Sequence, residues 1–130
     1  ESRLGDGPVL IYSPADPEAV SAVQERHGRA ATGTAVERAM GRIADGLVGR
    51  GVRRLVVAGG ETSGAVVSAL GVTALEIGRE IDPGVPWTYA VCGVIGAEAG
   101  TPGAGRLALA LKSGNFGAED FFTRAFEALP

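Results

Sequence analysis

Residues 55–70, LVVAGGETSGAVVSAL, constrain the fold more than any other stretch of the chain. An apolar run, Leu55–Ala58, stops at Gly59 and Gly60. Glu61, Thr62, Ser63 and Gly64 follow, and a second apolar segment, Ala65–Leu70, begins at once. The pattern predicts a buried strand, a tight turn and a helix. The first N–H groups of a helix have no partner inside it, and the helix dipole adds partial positive charge there. Such a junction suits an anion, typically a phosphate. Glycine lets the backbone approach a ligand closely, and Thr62 and Ser63 add hydroxyl donors. The same residues also read as a plain strand–helix turn, with Thr62 or Ser63 serving only as a helix cap.

The flanking chain supplies the rest of an α/β pattern. Residues 1–7 read as a polar lead-in. Pro8–Ser13 reads as a buried strand, and Glu18–His27 as a helix opened by Ser13 or Asp16 with Pro17 and ended near Gly28. His27, the only histidine, suits a helix C-terminus as a cation better than catalysis. Thr32 or Thr34 is the expected cap of a second helix, Ala35–Val48, with Val36, Met40, Ile43, Leu47 and Val48 on its apolar face and Gly49 and Gly51 ending it. A strand over Arg53–Ala58 leads into the glycine junction, and the helix beyond it ends at Gly71. Val72–Ile77 reads as a strand. Across GREIDPGVPWT, Pro83, Gly84 and Pro86 forbid regular structure. Thr88–Val94 reads as a strand, Gly96–Gly105 as a flexible exposed turn, and Arg106–Leu111 as a strand apolar on both faces. Lys112–Gly117 forms a second glycine loop. Ala118–Leu129 closes the chain as a helix burying Phe121, Phe122, Ala125, Phe126 and Leu129.

Both-face apolar strands separated by helices predict a single α/β domain, a sheet with helices on both faces. In such sheets ligands collect beyond the carboxyl ends of strands. Each glycine loop follows a strand's carboxyl end, so the two can face one ligand.

Composition narrows the function. No apolar run approaches the roughly 20 residues that span a bilayer. The net charge is −3, and basic residues cluster only at Arg53–Arg54, which argues against a nucleic-acid surface. The one cysteine, Cys92, permits no internal disulfide or cysteine metal cage and reads as a buried hydrophobe. A cytoplasmic home fits that usage. With one histidine and one cysteine, no Ser/His/Asp or Cys/His constellation can be assembled, and no metal-ligand cluster appears. The chain begins without Met and reads as a piece of something longer.

Of 12 basic residues, Lys112 is the only lysine. A compact cation at a strand end suits an ATP phosphate. A Walker A loop needs GxxxxGK[ST], but GGETSG runs into Ala65, and GxGxxG is absent as well. Any phosphate site here is of another design, with Lys112 supplying charge from across the cleft. Glu119 and Asp120 fall in the expected first turn of the closing helix, where they favour the dipole and compete with phosphate. Nucleotide contact is therefore expected through Lys112, Ser113, Gly114 and Asn115. Trp87, the only tryptophan, either plugs the core edge or offers a face to a purine.

Three blocks, VVAGGETSGAVVSALG, EIDPGVPWT and LALALKSGNFGAEDFF, resemble in order the carboxy-terminal portion of the four-carbon acid sugar kinases, and VLIYSPADPEAV resembles the segment preceding them. The resemblance spans nearly the whole chain and implies one domain over residues 1–130. It implies a nucleotide-binding domain whose amino-terminal sugar-acid domain is absent. The whole enzyme would transfer phosphate from ATP, with Mg2+, to threonate, erythronate or a 3-oxo-tetronate. The family's nucleotide contacts fall on Gly60, Glu61, Thr62, Ser63 and Gly114, beside Gly59. The stretch Ala90–Arg106 is longer and richer in glycine than the family pattern. A non-catalytic small-molecule or anion-binding regulatory module of the same fold is the alternative, separated by magnesium-dependent ATP affinity. A purely structural interaction domain is a third reading, which an ion-paired Lys112 would favour. Self-association is compatible with either.

Overall fold

A computed structural model describes residues 7–13, 25, 29–90 and 106–128. The chain divides into two units, residues 1–36 and 37–130. The expected helix Glu18–His27, the strand end at 91–94, Cys92, the 96–105 turn and Leu129 lie largely or wholly outside the described residues.

Residues 8–13 form no strand. Leu10 and Tyr12 are each 69% exposed, against the expectation of a buried strand. An apolar run becomes a strand only with a neighbour to take its N–H and C=O groups, and no ladder partner is found among the described residues.

Helix α1 spans Arg29–Gly49. It starts earlier than expected because Ala30 and Ala31, strong helix formers, extend it past Thr32 and Thr34. Its core-facing residues are Gly41, Ala44 and Val48, while Ile43 is exposed. Gly41 permits a close approach to the next helix: a Cβ there would lie 3.1 Å from the Ala65 carbonyl oxygen and from Ala69 Cβ. At the helix end, Gly51 takes φ 97° and the Val52 N–H donates to the Leu47 carbonyl at 3.1 Å, a Schellman closure. Arg53 Nη1 donates to the Val48 carbonyl at 2.7 Å and holds the same end.

Strand β1, Arg54–Ala58, leads into helix α2, Gly60–Ala69. Val72 does not begin a strand. Its N–H closes α2 by donating to the Val67 carbonyl at 3.1 Å, with Gly71 at φ 63°. Strand β2 then runs over Leu75–Asp82 and β3 over Val85–Ala90.

The EIDPGVPWT segment is thus a hairpin, not an irregular stretch. Asp82 pairs with Val85, leaving a two-residue loop. Pro83 supplies the fixed φ of a turn's first central position and Gly84, at φ 77°, the left-handed second one. Pro86 pairs with Glu80 at a register shift, where a strand tolerates a missing N–H. Strand β4, Ala108–Lys112, ends one residue later than expected, and helix α3 is short, Phe121–Glu127. Glu119 and Asp120 precede α3 rather than form its first turn.

The sheet order is β1-β4-β3-β2, with β1 and β4 parallel and the other pairs antiparallel. Alternation along β4 divides two cores. Leu107 and Leu109 pack with Val57, Val66, Leu70, Ala44 and Val48 on the α1/α2 face. Ala108 and Ala110 pack with Trp87, Ile81, Val85, Phe121 and Ala125 on the α3 face. Helices therefore cover both faces, as predicted. Phe122 is 43% exposed, because Phe121 and Ala125 occupy the inward (i, i+4) positions and leave it turned away.

Candidate functional site

The parallel pairing of β1 with β4 sets Ala58 opposite Lys112, so both glycine loops leave the sheet at neighbouring strand ends. The Gly59 N–H donates to the Lys112 carbonyl at 2.8 Å, joining the two loops at their roots. The loops start side by side, an adjacency that the sequence leaves open because it gives no strand order.

In the first loop Gly59 is the residue before α2, with φ 106° and ψ 129°, a conformation only glycine adopts without strain. A Cβ there would lie 3.3 Å from Thr62 Oγ1. No side chain caps α2, so Thr62 and Ser63 do not serve as caps. The Ser63 N–H donates to the Gly59 carbonyl at 2.8 Å. Its Oγ is buried and has no hydrogen-bond partner among the described residues. A buried hydroxyl left unsatisfied is disfavoured by about 1–3 kcal/mol, a cost that a polar partner would remove. Gly60 and Glu61 are exposed on the same helix end.

In the second loop Lys112 is only 9% exposed. Among the described residues it has no carboxylate partner. Its Nζ donates to the carbonyls of Ser113 at 3.2 Å and Gly114 at 3.4 Å, and lies 5.7 Å from the Phe121 ring centroid. Those contacts compensate a buried cation only in part. They also weigh against a purely structural domain, which an ion-paired lysine would have favoured. Ser113, Gly114 and Asn115 are exposed.

Lys112 and α2 approach the rim of the sheet from opposite faces: Val66 of α2 packs in one core, and Lys112 shares the face of Ala108 and Ala110. The Ser63 and Lys112 side chains thus flank the shared strand end rather than lie on one wall.

Trp87 is fully buried, and its Nε1–H donates to the Ala125 carbonyl at 2.9 Å. It plugs the core and offers no face to a purine. The exposed aromatic beside the site is Phe116, 50% exposed. Asp82 and Arg124 lie next to the second loop as well. Their only sequence signal was the place of Asp82 before Pro83–Gly84. Asp82 Oδ2 accepts the Ala118 N–H at 2.8 Å, and this bond, with Arg124 beside it, holds its carboxyl below the ordinary carboxylate range.

The family described as the nucleotide-binding C-terminal domain has a sequence pattern that matches residues 1–122. The chain belongs to that family. It is 56% identical over 129 residues to a 3-oxo-tetronate kinase of Methylobacterium radiotolerans, covering 99% of this chain and 28% of that protein. The chain therefore spans about a quarter of that relative's length. A solved Haemophilus influenzae protein is 42% identical with a TM-score of 0.69, over 86% of this chain and 24% of that one. A Bordetella bronchiseptica protein, solved as a domain-swapped dimer with bound citrate, is 31% identical with a TM-score of 0.55, over 69% of this chain and 20% of that one. No described helix of this domain is long and apolar enough to cross a membrane.

Proposed function

We propose that this chain is the ATP-binding domain of a cytoplasmic kinase that phosphorylates a four-carbon sugar acid of the threonate, erythronate or 3-oxo-tetronate type. The observation that carries the reading is the shared strand end. There an uncapped helix with a buried Ser63 hydroxyl stands beside a buried Lys112, and among the described residues the hydroxyl has no hydrogen-bond partner and the lysine no carboxylate. Both features are explained by an anion that supplies the missing partner. The kinase name of the 56% identical relative supports ATP and a sugar acid as the two substrates.

In this reading Gly59, Gly60, Glu61, Thr62 and Ser63 receive the phosphates through the first turn of α2. Lys112, Ser113, Gly114 and Asn115 close the other side. Mg2+ arrives with the nucleotide. Catalysis rests on holding ATP near the acceptor hydroxyl and on stabilising charge on the transferred phosphoryl group. The sugar acid and the catalytic base belong to another domain. Self-association fits the domain-swapped dimer of the Bordetella relative.

Calorimetric titration of the chain with Mg–ATP tests the reading, with Ser63→Ala and Lys112→Ala alongside. Binding that both substitutions weaken supports it. Binding that is indifferent to magnesium and to both variants favours the non-catalytic anion-binding module. Phosphotransfer to threonate, erythronate and 3-oxo-tetronate by a protein carrying this domain with a sugar-acid domain then identifies the acceptor.

A further inference from the structure

Beyond the bonds from Lys112 Nζ to the Ser113 and Gly114 carbonyls, little inside the second loop holds its shape. Residues 113–120 are all exposed, and a turn from the Phe116 N–H to the Ser113 carbonyl, at 3.3 Å, is the backbone bond inside the Ser113–Gly117 segment. Its near end is fixed because Lys112 belongs to β4. Its far end is fixed by the hairpin. The Ala118 N–H donates to Asp82 Oδ2 at 2.8 Å, while Arg124 Nη2 donates to Asp82 Oδ1 at 2.9 Å and to the Ile81 carbonyl at 3.0 Å. Arg124 thereby locks the Asp82 carboxylate in the position that receives the loop. The turn makes a second contact: a Cβ on Gly84 would lie 3.4 Å from Cε1 of Phe116, so the hairpin tip rests against the middle of the loop.

We propose that Asp82 is a positioning residue for the nucleotide. By holding the Ala118 N–H it presents Ser113, Gly114 and Asn115 in one arrangement before the ligand arrives. The inference rests on the nucleotide reading above and extends it to the hairpin, 30 residues upstream of Lys112 in sequence. A loop tied at both ends loses less conformational freedom on binding, so pre-ordering appears directly as affinity. The depressed carboxyl range of Asp82 agrees with this role, since the group is a full carboxylate wherever ATP binding is measured.

The test uses the 130-residue chain with Asp82→Ala and Asp82→Asn. Each is followed by Mg–ATP calorimetry, thermal melting and amide NMR without ligand. A hydrogen bond to a charged group corresponds to about a tenfold to hundredfold change in an equilibrium constant. Asp82→Ala is expected to weaken Mg–ATP binding by about tenfold or more on that scale. It should shift the amide signals of Ser113–Asn115 while those of Gly60–Ser63 stay in place. Asp82→Asn keeps one acceptor for Ala118 and should bind between wild type and the alanine variant. If wild type binds and the alanine variant, folded, binds equally well, the positioning role is overturned and the nucleotide reading stands. If folded wild type binds no nucleotide, both fall together. If the alanine variant does not fold, the asparagine variant decides. Weakened binding by the folded asparagine variant, with the Ser113–Asn115 amides shifted, supports the proposal, and unchanged binding with a displaced Ala118 amide overturns it.

Discussion

The Gly59 N–H and the Lys112 carbonyl are joined by a 2.8 Å hydrogen bond across the ends of two parallel strands. That bond joins the two glycine loops at their roots.

Ser63→Ala separates binding from stability. Among the described residues the Oγ has no hydrogen-bond partner, so its removal should leave the melting temperature unchanged or raised, since an unsatisfied buried hydroxyl is a cost to the fold. If the hydroxyl meets a phosphate, Mg–ATP affinity falls by about tenfold to hundredfold, the scale of a hydrogen bond to a charged group. Paired melting and calorimetry check both halves.

Lys112→Met tests the buried cation. The methionine keeps the apolar stem beside Phe121 and removes a charge that has no carboxylate partner among the described residues. Melting should be unchanged or raised, because replacing a poorly compensated buried charge is often stabilising. Mg–ATP affinity should drop by about tenfold or more. A variant that melts lower and binds normally would point to a lysine serving only the core.

Gly59→Ala strains the junction itself. The backbone sits at φ 106°, and the new Cβ meets Thr62 Oγ1 at 3.3 Å. A loss of about 1–3 kcal/mol is expected from the disfavoured backbone alone. Chemical denaturation measures it, and an unchanged midpoint would mean the turn relaxes freely.

The acid limb of stability should run through Asp82. Its carboxyl titrates lower in the folded chain than the ordinary value of 3.8, chiefly because it accepts the Ala118 N–H and then because of Arg124. The stabilisation is therefore complete above the ordinary carboxylate pKa and is lost as pH falls through the lower folded value. Melting curves from neutral pH down to about pH 2.5 should show wild type losing its advantage over Asp82→Asn at the acid end. Parallel curves would remove Asp82 from the acid transition.

The strand–glycine–helix junction was legible in the sequence because the period of the apolar residues and the two glycines agree on one answer. The strand ends on which both loops sit were legible for the same reason. The hairpin was not. Pro83, Gly84 and Pro86 each disfavour regular structure when taken singly, yet two of them occupy the turn positions that require them and the third sits at a bulge. Residues 8–13 show the reverse failure, since an apolar run carries no information about whether a partner strand is present. Lys112 stood out by count alone, but its burial depends on which face of β4 it occupies. Asp82 and Arg124 were silent because their chemistry arises from a contact over about 40 residues of sequence.

The two loops that flank the shared strand end are separated by about fifty residues, with a complete hairpin inserted between their strands. A parallel pair cannot close early, since its loop must be crossed before any contact rewards it. Forming the rim therefore requires the long closure that seats β4 between β1 and β3. Any ligand that grips both loops fastens together the two ends of that long closure. Such a ligand acts chiefly as a brake on unfolding, and nucleotide should lengthen the lifetime of the folded domain more than it hastens its formation.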